Sequence, residues 1–282
     1  MTDIDRLLRS RSFVELGARQ RARALFDPGT FRELLSPFDR LMSPWLPRQG
    51  IVPQADDGVV IGKGRLKGTR AVIAAIEGGF QGGSMGEVGG AKIAGALELA
   101  IEDNRKGIPT CAVLLLETGG VRLQEANLGL AAIAEIQSAI VELRAHQPVV
   151  GLIAGSVGCF GGMSIAAGLC SHLLVTREAR LGLNGPQVIE QEAGIEEYDA
   201  KDRPFIWSLT GGEQRHACGL VDAYVADDVD RIRQRLVQLL ESPSANRVAR
   251  HAWFLDRLAS LGDDCPQLDA AAVRTLYQGA IS

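Results

Sequence analysis

From Val59 onward the hydrophobic positions change period in a regular way. Val59–Gly64 and Arg70–Glu77 are short apolar runs joined by Arg65-Leu-Lys-Gly-Thr69, a spacing that predicts a β-hairpin. Thr110–Glu117, Pro148–Ala154 and Ser171–Val175 are continuous apolar runs of strand length. Helical segments are expected between them, over Glu87–Arg105, Arg122–Leu143 and Gly161–Gly168. Ile133, Ile136, Ile140 and Leu143 follow the three-four spacing of a helix lying on a sheet. This alternation predicts an α/β domain over residues 59–225.

The flanks have another character. Ser12 and Glu15 have capping-box spacing, which predicts a helix running to Leu25 and stopped by Asp27-Pro28-Gly29. Thr30 is placed to cap a second short helix, after which Pro37, Pro44 and Pro47 keep the chain irregular. The clustered Arg19, Arg21 and Arg23 read as a solvated helix face, with an acidic partner or phosphate as the alternative. Residues 1–58 therefore form a helical extension and residues 226–282 a mostly helical tail. Leu183–Gln191 reads as a turn opening into a short helix, and Thr210–His216 as the start of another. The acidic stretch 187–203, with Glu190, Glu192, Glu196 and Glu197, is expected to be a mobile flap or a partner surface.

Composition narrows the class. The 282 residues are 46% hydrophobic, enough for one large domain or two small ones. A net charge of −4 gives no general reason to expect nucleic-acid binding. The glycines concentrate between Gly58 and Gly219, which suits many tight turns between strands and helices. Cys111, Cys159, Cys170, Cys218 and Cys265 are isolated from one another, so neither a zinc ribbon nor a disulfide framework is expected. His146, His172, His216 and His251 lack metal-ligand spacing, and no metal site is expected. Met1–Gln20 is charged throughout and the apolar runs are too short for a bilayer, so a cytoplasmic address is expected.

The chemistry is concentrated in two glycine pairs. Gly119-Gly120 follows one apolar strand and Gly161-Gly162 another, each where a helix should begin. Glycine admits positive φ and close approach to backbone amides, and a helix N-terminus carries unpaired N–H groups. Two such turns facing one cleft would hold an oxyanion without a charged side chain; ordinary tight packing is the alternative. Gly82-Gly83-Ser84-Met85-Gly86 fits G-x-S-x-G, but Gly78–Gly83 separates Ser84 from the strand end, unlike a nucleophile elbow. A glycine-rich loop over the mouth of a site is the better reading. No phosphate-binding glycine motif of the P-loop or dinucleotide type follows a strand.

Phe80-Gln-Gly-Gly-Ser-Met-Gly86, Thr118-Gly-Gly-Val-Arg-Leu-Gln-Glu125, Cys159-Phe-Gly-Gly-Met-Ser164 and Gly185-Pro-Gln-Val-Ile-Glu-Gln191, in this order, resemble the carboxyltransferase branch of the crotonase superfamily. Within it the chain is similar to the β subunits of malonate decarboxylases: residues 1–58 contain no Cys for a zinc ribbon, and only one crotonase-like half fits the length. The resemblance implies a crotonase-like (ClpP/crotonase) spiral of ββα units with helical extensions at both ends. It implies decarboxylation of a malonyl thioester on an acyl carrier protein, giving acetyl thioester and CO2 through an enolate. The expected partners are a homologous second carboxyltransferase-like subunit (γ), the acyl carrier protein and an acyl carrier protein transferase. No cofactor is expected on this chain itself; a CoA-derived prosthetic group sits on the carrier. The site reading assigns oxyanion stabilisation to Gly119, Gly120, Gly161 and Gly162. Substrate contacts fall to Gly82, Gly83, Ser84, Met85, Gln124 and Glu125. Gln124, Glu125 or water is the candidate proton donor, with surface or capping roles equally open for the two side chains. A biotin-dependent carboxyltransferase β subunit and a non-catalytic scaffold are the alternatives.

Overall fold

The structure is a computed structural model and describes residues 10–243, 247–262 and 268–277. Seven strands form one sheet whose spatial order follows the chain. β1 (Arg32–Leu34), β2 (Val59–Leu66) and β3 (Thr69–Ile76) pair antiparallel. From β3 the sheet continues parallel through β4 (Thr110–Leu115), β5 (Val149–Ile153), β6 (His172–Thr176) and β7 (Ala223–Val225). The hairpin turn is tighter than the sequence suggests: only Lys67 and Gly68 connect the strands, at φ 48° and 83°. Two central residues at positive φ match the right-handed twist of the flanking strands.

Each parallel step requires a crossover. α2 (Glu87–Arg105) joins β3 to β4, α3 (Asn127–Leu143) joins β4 to β5, and α4 (Gly162–Leu169) joins β5 to β6. The strand order never reverses and such crossovers share one hand, so the three helices gather on one face. There Ile93, Leu97, Ile136, Ile140 and Met163 pack on Val72, Ala74 and Leu114. The opposite face meets α1 (Ala18–Leu25) and α8 (Val229–Glu241), with Leu25, Ile232 and Leu236 against Ala71, Ile73 and Val113. Adjacent residues of one strand enter different cores, the period of two of a pleated strand. With both faces covered, the strands read as continuous apolar runs. α5 (Pro186–Ala193), α6 (Arg203–Thr210) and α7 (Gly212–Ala217) fill the β6–β7 connection, and α9 (Arg247–Ala259) and α10 (Ala270–Leu276) follow β7 and α8.

The N-terminal expectations are corrected in three places. The helix begins at Ala18, not after Ser12, because Asp227 takes the earlier donors: the Ser12 hydroxyl and the amides of Phe13 and Val14 donate to its carboxylate. Thr30 caps no helix; its Oγ1 accepts from Arg65 N, and the chain enters β1. Nor do Arg19 and Arg21 form a solvated face, although Arg23 is exposed. Arg19 pairs with Glu33 and Asp56, and the buried Arg21 pairs with Glu117. Cys111, Cys159, Cys170 and Cys218 are buried; burial pushes the Cys111 thiol up to about 12. Cys265 lies outside the described residues. Among the described residues no helix is long and apolar enough to cross a membrane, and no group of His, Cys, Asp or Glu is arranged to hold a metal ion.

Candidate active site

Beyond the C-terminal ends of the parallel strands the chain continues into isolated bridges: Met85 with Val121, Thr118 with Cys159, and Cys159 with Leu181. Met85 N donates to Gly120 O at 2.7 Å and Arg122 N to Met85 O at 2.8 Å. Thr118 N donates to Gly158 O at 2.7 Å, and Phe160 N to Thr118 O at 3.0 Å. These bonds bring the two glycine turns into contact. A β carbon on Gly161 would lie 3.2 Å from Gly120 Cα, and one on Gly120 would lie 3.4 Å from Gly161 Cα. Their φ values of 112° and 61° also disfavour any side chain. The two turns are therefore in direct contact.

Three of the four glycine amides are already engaged. Gly119 N donates to Gly82 O at 2.9 Å, Gly120 N to Thr118 Oγ1 at 3.1 Å, and Gly161 N to Leu183 O at 2.7 Å. The amide of Gly162 is different: it opens α4, where the first N–H groups have no intrahelical acceptor. Val121 supplies the second free amide. Its neighbours Gly120 O and Arg122 N bond Met85, so in the parallel bridge its own N–H faces the other side. Gly161 lies there, with its β-carbon position 3.8 Å from Val121 N. The sequence reading missed Val121 because it assigned the donors to the glycines themselves. The glycines let the turns touch, and the available N–H belongs to the residue that follows each contact residue.

The loop before α2 supports the first turn. Gly83, at φ 65°, lies against Glu117 O, where a β carbon would come within 1.9 Å. Gly83→Ala is therefore expected to lower the melting midpoint, with strain of about 1–3 kcal/mol before any repacking; a thermal melt checks it. Ser84 is half-buried, and its hydroxyl accepts from Arg122 Nε at 3.4 Å. Met85 is fully buried in the core, so its backbone serves the site through the bridge to Val121 while its side chain packs inward. Gln124 is half-buried and its carbonyl accepts from Gln49 Nε2.

Glu125 is 3% exposed and fully committed. It accepts from Ser43 Oγ at 2.6 Å and from Glu87 N, the first amide of α2, at 2.7 Å, and it pairs with Arg122 at 2.9 Å. Burial pushes the carboxyl up, but the Ser43, Glu87 and Arg122 donors outweigh it and hold the carboxyl below its ordinary range. Glu125 is thus a buried anion at neutral pH, which removes it as a proton donor. Arg122 also pairs with the buried Asp57 at 2.8 Å, donates to Ser84 O and stacks on Phe80.

Arg122→Met strands two buried carboxylates and should cost about 3–5 kcal/mol at neutral pH. Without the guanidinium, burial raises both carboxyls, so the folded variant binds more protons than the unfolded chain. Its deficit should shrink as pH falls from 7 toward about 5. Urea midpoints across that range check the sign.

A cavity of about 940 Å³ is lined by Ser156, Val157, Arg180, Arg203 and Trp207 among others, and not by the glycine pairs. It adjoins the second turn through Arg180, which stacks on Phe160 and Trp207 and donates to Ser156 O. Val121 and Gly162 are half-buried and do not line that cavity. Leu123 and Ile165 lie close to them in sequence and Leu183 accepts from Gly161 N; these three side chains are 81%, 52% and 61% exposed. The cavity is lined by charged side chains, whereas the glycine turns hold the unpaired donors.

The carboxyl transferase domain family matches residues 12–251. Malonyl-S-ACP:biotin-protein carboxyltransferase MADC of Malonomonas rubra is 39% identical over 246 residues, spanning 84% of this chain and 77% of that protein. A chain in the crystal structure of a Pseudomonas malonate decarboxylase hetero-tetramer in complex with malonate is 71% identical, with a TM-score of 0.94 over 98% of this chain and 100% of that one. A chain of the Pseudomonas malonate decarboxylase MdcD-MdcE hetero-dimer is 64% identical, with a TM-score of 0.75 over 88% of this chain and 97% of that one.

Proposed function

The chain belongs to the carboxyl transferase domain family, and on that premise we propose that it is the malonyl-thioester decarboxylating subunit of a malonate decarboxylase. The observation that carries the reading is the pair of unengaged amides, Val121 N–H and Gly162 N–H, at two touching glycine turns. In the reaction the bond between the α-carbon and the carboxylate breaks and CO2 leaves. The electron pair passes to the α-carbon and is delocalised onto the thioester oxygen. The barrier is set by that oxyanion, and preorganised N–H donors lower it because the charge appears only in the transition state. Water protonates the enolate carbon, giving the acetyl thioester, since Glu125 is ionised and enclosed.

The thioester is carried on an acyl carrier protein through a CoA-derived prosthetic group, loaded by an acyl carrier protein transferase in the cytoplasm. The second wall of the site comes from a homologous carboxyltransferase-like subunit. The exposed Leu123, Leu183 and Ile165 near these amides support this, since apolar surface gathered around a site marks a protein interface. The purified chain alone is accordingly expected to show little or no decarboxylation, and to gain it on addition of the partner subunit. Full turnover by the single polypeptide would refute the shared site. The biotin-protein carboxyltransferase reading draws on the 39% identical relative and uses the same enolate. The 71% identity to a malonate decarboxylase chain favours direct decarboxylation.

A further inference from the structure

We propose that Glu117 is a positioning residue that holds the second glycine turn in register with the first; the proposal rests on the oxyanion reading above. Glu117 lies two residues beyond the end of β4 and is 5% exposed. Its Oε1 accepts from the amides of Val157 at 2.8 Å and Gly158 at 3.2 Å, and its Oε2 pairs with Arg21 at 2.9 Å. The loop after β5 is shaped around this carboxylate. A β carbon on Gly155 would fall 1.9 Å from Oε2, so the loop closes on the side chain with no room to spare.

The carboxylate is clamped from behind as well. Arg21 donates to the carbonyls of Phe13 and Val14, whose amides are fixed by Asp227. From the loop the constraint passes along the chain. Gly158 O accepts from Thr118 N, Phe160 N donates to Thr118 O, and Gly161-Gly162 follow directly. One buried side chain therefore sets the backbone that aims the Gly162 amide. An error of about 1 Å in such a position can cost roughly 10²-fold in rate.

Two double variants in the assembled complex separate positioning from bulk stability. Glu117→Gln with Arg21→Met removes both charges and keeps an oxygen for the Val157 and Gly158 amides. Glu117→Met with Arg21→Met removes the charges and that acceptor too. The expected result is a kcat lowered roughly 10–100-fold in the Met/Met variant, with KM for the malonyl carrier nearly unchanged, well below its melting midpoint. The Gln/Met variant should recover most of that loss. Hydrogen exchange supplies a readout independent of turnover: the amides of residues 157–162 should exchange faster in the Met/Met variant and near the wild-type rate in the Gln/Met variant. Equal kcat in two folded double variants, or unchanged exchange at 157–162, would overturn the proposal. If exchange responds as expected but the wild-type complex does not decarboxylate malonyl thioester, the positioning role stands and the functional reading fails. Should the Met/Met variant not fold, Glu117→Gln with Arg21→Met still decides: near-wild-type kcat and exchange support the role, and a large loss of kcat in the folded protein overturns it.

Discussion

Gly162→Pro is expected to lower kcat for malonyl-thioester decarboxylation by about 10²–10³-fold, the loss of one oxyanion donor, or about 2.7–4 kcal/mol. Proline suits this test because Gly162 is the first residue of α4, where its ring is accommodated and no intrahelical bond is lost. A β carbon there meets Ile133 Cγ2 at 3.0 Å, so some crowding accompanies any substitution. Gly162→Ala carries the same β carbon and keeps the N–H, which makes it the control. The alanine variant should lose far less, and the difference between the two reports the amide. Equal losses would assign the effect to crowding against Ile133 and remove Gly162 from the oxyanion site.

Val121→Pro should have an effect of the same order for the same reason. The Val121 amide makes no hydrogen bond among the described residues, and the Met85 bridge is carried by Gly120 O and Arg122 N. Deleting the Val121 N–H therefore breaks no backbone pairing. Val121→Ala, which retains the amide, should remain within a few-fold of wild type. The loss should appear in kcat and kcat/KM together, because the donor acts on charge present only in the transition state. A loss confined to KM would place this amide on the carrier arm instead. Gly120→Pro, by contrast, is a poor probe. The Gly120 amide is bonded to Thr118 Oγ1 and its φ is 112°, so proline would misfold the turn before it tested a donor.

Much of this architecture is legible in the chain. The apolar runs locate β2 to β6 within a residue or two, because strands buried on both faces must be apolar throughout. Helices α2 and α4 lie where they are expected, but α3 begins at Asn127 and not at Arg122, because Leu123–Glu125 form a separate 3-10 turn and Ala126 breaks the run at φ 49°; the family resemblance rests on motifs that the fold brings to one edge of the sheet. Long-range partners are what local patterns do not carry. Asp227 unwinds the start of the helix at Ser12, Glu33 and Asp56 draw in Arg19, and Glu117 buries Arg21. The glycine pairs are visible as sequence, but which amide remains unbonded depends on carbonyls at Gly82 and Leu183 and on the Thr118 hydroxyl. Glu125 likewise resembles a catalytic carboxyl beside a glycine turn until Ser43, Glu87 and Arg122 enclose it.

The central claim is that this chain, joined to its partner subunit, decarboxylates a malonyl thioester directly. The most direct test is CO2 release from malonyl carrier labelled at the free carboxyl, using the reconstituted complex with and without avidin. The account predicts one CO2 per acetyl carrier formed, at a rate avidin does not change and Gly162→Pro abolishes almost entirely. CO2 release that avidin blocks, or label that accumulates on a biotin carrier before any CO2 appears, would contradict it.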